Sequence, residues 1–451
     1  MSVKTRERWT HTLVCVTTLC MRVLGLDIGS SSVKAAVLAG TRVTGSIARA
    51  GFPTRYHGDR AEVEPKHVLN AIDRAISDLG AKAKKVDAIA LSVMAPAWLA
   101  MDHHGKPLTP LVTHQDRRSV QVAMDLERRV GKSRMLKLVG NRPFPGGISS
   151  TTYAWFNRHQ PRLMKRADLV GHLNTFLLMH LTHARVIDPS NASFMGLFKL
   201  DQSGWSEEVM DAVGATEHQL PQIVSSDGVE GLVTRSAGRR FGLTHGTPVL
   251  AGLIDTGSAM LLAGAKPGKL LDVCGSTDVL ALCVAKPRPH ERLITRALGV
   301  GKKWLSVSTQ AAAGSALNWV RDQLFCDGDK ERFSKIVTEL SRDPLKSPVR
   351  FENYLAGDRT SLEQRTASIT GMTLATTRLQ ILSALIESLA ESSAERLELL
   401  KQVNRTIGRN VIVSGGAAEG LGEILHRDWP GKWTFRYEDE ASLRGLGCLL
   451  S

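Results

Sequence analysis

The sequence predicts an α/β protein of two lobes that share one order of elements. Three observations lead to this. The stretch LGLDIGSSSVKAAVL, Leu24 to Leu38, reads as strand, small-residue turn, strand. A second copy, LLDVCGSTDVLALCVA, Leu270 to Ala285, reads the same way. The chain has 451 residues, too many for one small core, and that length asks for two domains or more.

In the first hairpin an apolar strand, Val23 to Leu26, delivers a carboxylate at Asp27. Gly29 and the serines Ser30, Ser31 and Ser32 form the turn, and Val33 to Leu38 runs back with Lys34 near its start. Glycine admits a positive φ and a close backbone approach. Small hydroxyls and free N–H groups can face phosphate oxygens. A carboxylate suits Mg²⁺, a hard cation that prefers oxygen. An ordinary β-hairpin with a polar turn is the competing reading of the stretch alone. Arg42 to Phe52 reads as a third strand. Pro65 to Leu79 reads as a helix, with proline in its first turn and an apolar stripe of Val68, Leu69, Ile72, Ile76 and Leu79. A buried strand then ends near Met94. The second half repeats the order: Leu270–Cys274, Val279–Val284, Trp304–Thr309, then a helix from Gly314 to about Leu324.

The lobes are expected to meet near Thr247-Pro248, giving domains 21–248 and 249–451. The apolar run Val249 to Ile254 ends in Asp255, Thr256 and Gly257. A carboxylate at the end of a buried strand is suited to general-base work. The same residue also suits a helix N-cap, and both readings stand at this point. Near the C-terminus, NVIVSGGAAEG, Asn410 to Gly420, reads as strand, glycine pair and helix. Gly415 and Gly416 would let the backbone lie against a flat base, or simply make a tight turn. Thr377 to Val403 is the clearest helix, with Leu379, Leu382, Leu385, Ile386, Leu389, Leu397 and Leu400 in helical period.

Hydrophobic residues make up 43% and charged residues 23%, as in globular proteins. The net charge is +14, yet the basic residues are scattered and no aromatics interleave with them, which argues against nucleic acid as a partner. A diffuse positive field suffices to attract an anionic nucleotide. The six cysteines form no CxxC pair or metal spacing. They read as reduced thiols, placing the chain in the cytoplasm. No apolar run approaches the ~20 residues of a membrane span. Residues 1–20 make a poor secretory signal. They read as a disordered extension or a mis-assigned start, with Met21 the expected first residue.

Two lobes of one topology, each with a phosphate-type hairpin, resemble the ribonuclease H-like, actin-like ATPase fold, with ATP in the cleft between the two domains. The motifs also resemble the FGGY carbohydrate kinases over Met21 to Ser451. LDIGSSSVK is similar to the family's first phosphate loop, with Lys34 where arginine is usual. LSVMAPAWLAMD and LVTHQDRRS resemble the sugar-side segments. GISSTTYAWFNRH resembles the first signature, with Thr152 for a usual lysine. HLNTFLLMHLTHARVIDPSNAS has Asp188, Ser190 and Asn191 in place. VLAGLIDTGSAMLLAGA resembles the segment of the catalytic aspartate. CGSTD stands for a Gly-Thr-Ser loop and YLAGDRT for Gly-Glu-Arg. ASITGMTLATTRLQILSALIE resembles the second signature except at Leu385, and VSGGAAEG resembles the adenosine loop.

The resemblance implies a kinase that uses ATP and Mg²⁺, and leaves room for a homodimer. It implies Asp255 as general base and Asp27 as the metal-holding residue. Gly29, Ser30, Ser31 and Lys34 would contact phosphate from one lobe, and Gly275, Ser276 and Thr277 from the other. Gly314, Gly415 and Gly416 would line the nucleotide. Met94, Ala95, Gln115, Asp116 and Thr256 would face the sugar, with His114 nearby and Arg117 as an ion-pair partner. Trp98 reads as core, or as an apolar face for the sugar. The family's xylulokinase-like members carry Met-His where Met94-Ala95 stands, and Asn or Gln where Thr256 stands. The expected acceptor is a keto-sugar such as xylulose, with sedoheptulose, ribulose, gluconate and glycerol as alternatives. A sugar- and ATP-binding regulator of the same fold is the other class.

Overall fold

The structure is a computed structural model, and it describes residues 21–450. The expectation for residues 1–20 lies outside the described residues. The first sheet is built on Arg22–Ile28, paired antiparallel with Ser32–Ala39 so that Asp27 lies opposite Lys34. On its other side Arg22–Ile28 runs parallel to Ala88–Val93. Val23 to Ile28 are all buried, side chains of both faces included, as a strand covered on both sides requires. The helix Pro65–Leu79 starts at its proline and stops at Gly80, where φ is +59°. Its predicted stripe is the buried face.

The expected third strand is broken. Arg42–Val43 and Ala48–Gly51 are two short strands, both on Ser32–Ala39, separated by a turn at Gly45 with φ +97°. A left-handed residue cannot continue a ladder. The first sheet also reaches past the expected lobe boundary. Pro248–Leu250 and Leu253–Ile254 both pair parallel with Ala88–Val93. A separate five-stranded sheet, running from Leu169–His172 through Ala97–Met101, Leu111–Thr113 and Arg60–Val63 to Arg55–His57, was not foreseen.

The second lobe carries a six-stranded sheet centred on Leu270–Cys274 and Asp278–Val284. Asn410–Ser414 runs parallel to Leu270–Cys274, as Ala88–Val93 does to Arg22–Ile28, so the internal repeat holds. The helix Arg378–Val403 begins with a capping box. Gln380 N donates to Thr377 Oγ1 at 3.3 Å, and Thr377 N donates to Gln380 Oε1 at 2.9 Å. Its leucine stripe is buried except for Leu379, which is exposed.

Side chains stitch the lobes together. Asn141 pairs with the edge strand Ile294–Ala297 as another strand would. Its Nδ2 donates to Thr295 O at 2.9 Å and its Oδ1 accepts from Thr295 N at 2.8 Å. The C-terminal turn Ala441–Gly445 packs on the helix Asp255–Leu262. A Cβ at Gly445 would lie 1.9 Å from Ser258 O, so only glycine permits that approach.

Candidate active site

Three parallel strands end side by side. Asp27 is in register with Ser92, and Leu253 and Ile254 with Ser92 and Val93. Their C-terminal ends therefore bring Asp27, Ser92 and Asp255 together. Ser92 Oγ donates to Asp27 Oδ1 at 2.7 Å. Burial pushes the Asp27 carboxyl up to about 6, against the Ser92 hydrogen bond and Lys34, while the charges of Asp255 and Glu440 raise it further. Its Oδ2 has no hydrogen-bond donor among the described residues. A carboxylate with one free oxygen beside a second acid fits a divalent cation, which would relieve the repulsion.

Asp255 is the first residue of its helix, and Ile254 occupies the N-cap position. The capping reading therefore fails: among the described residues Asp255 Oδ1 accepts only from its neighbour, from Thr256 N at 2.5 Å and Thr256 Oγ1 at 3.0 Å. Oδ2 has no hydrogen-bond donor among the described residues, and Asp255 is half-buried. The backbone entering Asp255 is held from behind. Ile254 N donates to Ser190 Oγ at 3.0 Å. Asp188, the N-cap of Pro189–Met195, accepts from Ser190 N at 2.8 Å, Asn191 Nδ2 at 2.6 Å and Asn174 Nδ2 at 2.7 Å. Burial raises Asp188 to about 6 against those bonds. The resemblance picked out Asp188, Ser190 and Asn191 as motif residues, but neither the cap nor its grip on Ile254 was read from the sequence.

Gly29 and Gly275 use their own N–H groups to close the turns, donating to Ser32 O at 3.0 Å and Thr277 O at 2.9 Å. The exposed hydroxyls of Ser30, Ser31 and Ser276, and half-buried Thr277, are what the turns offer a ligand. Lys34 is not free: its Nζ pairs with Glu440 Oε2 at 2.6 Å, and Arg49 pairs with the other oxygen. Glu440 holds φ +51°, a left-handed backbone unusual outside glycine. In the second lobe Gly314 N donates to Gly275 O at 3.1 Å, and a Cβ on Gly314 would approach that oxygen to 2.6 Å. Gly415 has φ +110°, and its Cβ would fall 2.1 Å from Cys274 O. Gly314, Gly415 and Gly416 line a cavity of about 570 Å³, with Leu317, Phe333 and Val337 as its apolar wall.

On the sugar side the structure departs from several expectations. Asp116 is buried, and its oxygens accept from Arg118 Nε, Arg118 Nη2 at 2.7 Å and Ala61 N at 2.9 Å. Its ion-pair partner is Arg118, not Arg117, whose Nη1 donates to Pro145 O at 2.7 Å. Gln115 is exposed and accepts from Tyr56 Oη at 2.7 Å. Met94 and Thr256 are buried, and Ala95 is half-buried. Trp98 is core: it is fully buried and stacks on Phe156 at 4.8 Å. The residues whose charges reach Asp255 include two that sequence reasoning left unassigned, Arg296 and Arg359. Arg359 stood inside YLAGDRT; Arg296 had no motif around it.

Two family models match the chain: the N-terminal domain of the FGGY family of carbohydrate kinases over residues 22–262, and its C-terminal domain over residues 270–420. The chain belongs to the FGGY family. It is a carbohydrate kinase with the two-domain, actin-like ATPase fold. The family's N-terminal domain, like the first sheet, extends past the expected boundary at Thr247-Pro248. The chain is 25% identical to a gluconokinase of Bacillus subtilis, covering 75% of this chain and 69% of that one. It is also 25% identical to a xylulose kinase of Streptomyces coelicolor, covering 88% and 80%. Among solved structures, a xylulose kinase from Rhodospirillum rubrum superposes with a TM-score of 0.81 at 22% identity, covering 95% and 89%. A gluconate kinase from Lactobacillus acidophilus superposes at 0.83 and 18% identity, covering 95% and 88%. Among the described residues no helix is long and apolar enough to cross a membrane.

Proposed function

We propose that this FGGY kinase transfers the γ-phosphoryl group of ATP to a hydroxyl of a small open-chain sugar, with Asp255 as general base. The observation that carries this is the free Oδ2 of Asp255 beside Asp27, at the ends of parallel strands. Phosphoryl transfer asks the protein for alignment, charge neutralisation and exclusion of water. Asp255 takes the proton from the attacking hydroxyl at Oδ2. Thr256 fixes Oδ1, and Asp188 with Ser190 fixes the backbone. Ser30, Ser31, Ser276 and Thr277 meet phosphate from both lobes, and Lys34 joins them on leaving Glu440. The cavity at Gly415 and Gly416 takes the adenosine. Asp27 would hold Mg²⁺, which when bound neutralises charge on the β- and γ-phosphates. Closure of the lobes excludes water.

A keto-sugar such as xylulose follows from the sequence and from the names of several relatives, not from contacts in the site. The two sugar-side residues with the most polar reach, Gln115 and Asp116, are already bonded within the protein. The test is ADP release from ATP with a panel of about twenty neutral and acidic sugars and polyols, wide enough for the family's range. Turnover of at least one is expected. No ADP above background with any of them, from folded protein, contradicts the proposal.

A further inference from the structure

Two cations stand at the acceptor side of Asp255 without a partner. Arg296 and Arg359 are 4% and 8% exposed. Neither guanidinium donates a hydrogen bond or forms an ion pair with any described residue, and both Nε atoms are sealed from solvent. Arg296 reaches from the strand Ile294–Ala297 across to the first lobe, where its guanidinium lies 4.8 Å from the Phe194 ring. Burial lowers Arg296 to about 9 and Arg359 to about 10, and Asp255 is the acid whose charge opposes that loss. Arg117 lies near enough for its charge to act on Arg359, and is itself acted on by the charges of Asp358 and Asp116 without an ion pair to either. His114 is kept neutral by burial and then by Arg359 and Arg117.

Unpaired buried charge costs several kcal/mol, so this arrangement is stable in use only when an anion completes it. A neutral sugar would leave two guanidiniums facing one carboxylate that is itself engaged in proton transfer. A planar carboxylate matches the guanidinium fork. We infer that the acceptor is a small sugar acid, a polyhydroxy carboxylate whose carboxylate is bound by Arg296 and Arg359 while a hydroxyl further along its chain meets Asp255. This rests on the kinase reading above and narrows its substrate class. Arg296 and Arg359 are then specificity residues, and the keto-sugar expectation gives way.

The decisive comparison is between aldonates, from threonate to D-gluconate, and polyols of equal length that carry CH₂OH instead of the carboxylate, such as D-glucitol. For the best aldonate, kcat/KM should exceed that of its polyol, and of xylulose, by about 100-fold, the worth of one or two charge-assisted hydrogen bonds. Arg296→Gln should remove most of that preference while changing the KM for ATP by less than about 3-fold. Arg296→Lys, which keeps the charge without the fork, should fall between. The aldonate should also raise the melting temperature of the wild-type protein without nucleotide, and not that of Arg296→Gln. Turnover of neutral sugars as good as that of every aldonate overturns the inference and leaves the kinase reading intact. So does a defect of Arg296→Gln confined to the KM for ATP, which would assign the guanidinium to the γ-phosphate. An aldonate-specific, Arg296-dependent rise in melting temperature without any turnover upholds the anion site and refutes the kinase reading.

Discussion

The two phosphate hairpins share a topology and differ in how they treat their acids. In the first, Asp27 is buried, and among the described residues Ser92 is its one hydrogen-bond donor, at Oδ1, which leaves Oδ2 without one. In the second, Asp272 and Asp278 lie under the turn, hydrogen-bonded to each other and each held at Oδ2 by a neighbour, while Nε and Nη1 of Arg396 have no partner among the described residues. His426 Nε2 donates to Asp272 Oδ2 at 2.5 Å, Cys274 Sγ donates to the same oxygen at 3.2 Å, and Arg396 pairs with Asp278. Burial lowers His426 to about 4, so its ring is neutral. Burial and the neighbouring Asp272 raise Asp278, so the two acids share a proton. One hairpin holds a carboxylate ready for a ligand. The other neutralises its acids internally and offers only hydroxyls and backbone. Equal folds thus support unequal chemistry, set by whether a buried acid is paired.

The largest expected effect on stability comes from breaking the second hairpin's network. Arg396→Met leaves Asp278 without its cation and should cost about 3 kcal/mol of stability in a denaturant titration, typical of orphaning a buried charge. The loss should be larger at pH 9 than at pH 6, because a protonated Asp278 tolerates the missing partner. Equal losses at both pH values would mean that the acids do not share a proton.

Next is the open hairpin. Asp27→Asn should lower turnover by roughly 100-fold, and raised Mg²⁺ should recover part of it. Stability should move the other way. The folded carboxyl, at about 6, lies above its ordinary 3.8, so its favourable contribution is present below pH 3.8 and is lost as pH rises through 6. The asparagine variant escapes that loss. It should gain up to about 3 kcal/mol on the wild type between pH 4 and pH 8, because holding one proton costs about 1.4 kcal/mol for each tenfold change in its affinity. Melting temperatures of the two proteins at both pH values measure it, and an unchanged difference would remove the buried-acid account.

These two regions also mark what the sequence could reveal. Both hairpins, the helix Pro65–Leu79 and the capped helix at Thr377 were legible because turn glycines, proline, caps and apolar period act over a few residues. The break at Gly45 needed a backbone angle that its letter permits but does not demand. Asp116 looked available until Arg118 and Ala61 occupied it. Arg296 had no motif, since its meaning comes from lacking a partner in three dimensions. The pairing of Lys34 with Glu440 joins residues 406 positions apart, beyond any local pattern.

That pairing gives the smallest effect. Glu440→Gln releases Lys34 for phosphate, so the KM for ATP should fall about 2- to 3-fold while stability changes by less than about 1 kcal/mol, the usual worth of a partly exposed ion pair. A rise in the KM would mean that Glu440 positions Lys34 rather than restrains it.

The central claim is that Asp255 removes the proton from the acceptor hydroxyl, and kcat of Asp255→Asn tests it most directly, measured with the best acceptor across a Mg²⁺ titration and with melting temperature as the folding control. Asparagine can still accept from Thr256, and Asp255 is not the helix cap, so the fold should persist. Turnover should fall by roughly 10²–10⁴, the worth of a positioned general base, and unlike the Asp27→Asn defect it should not respond to Mg²⁺. Near-wild-type kcat in the folded variant would contradict the account.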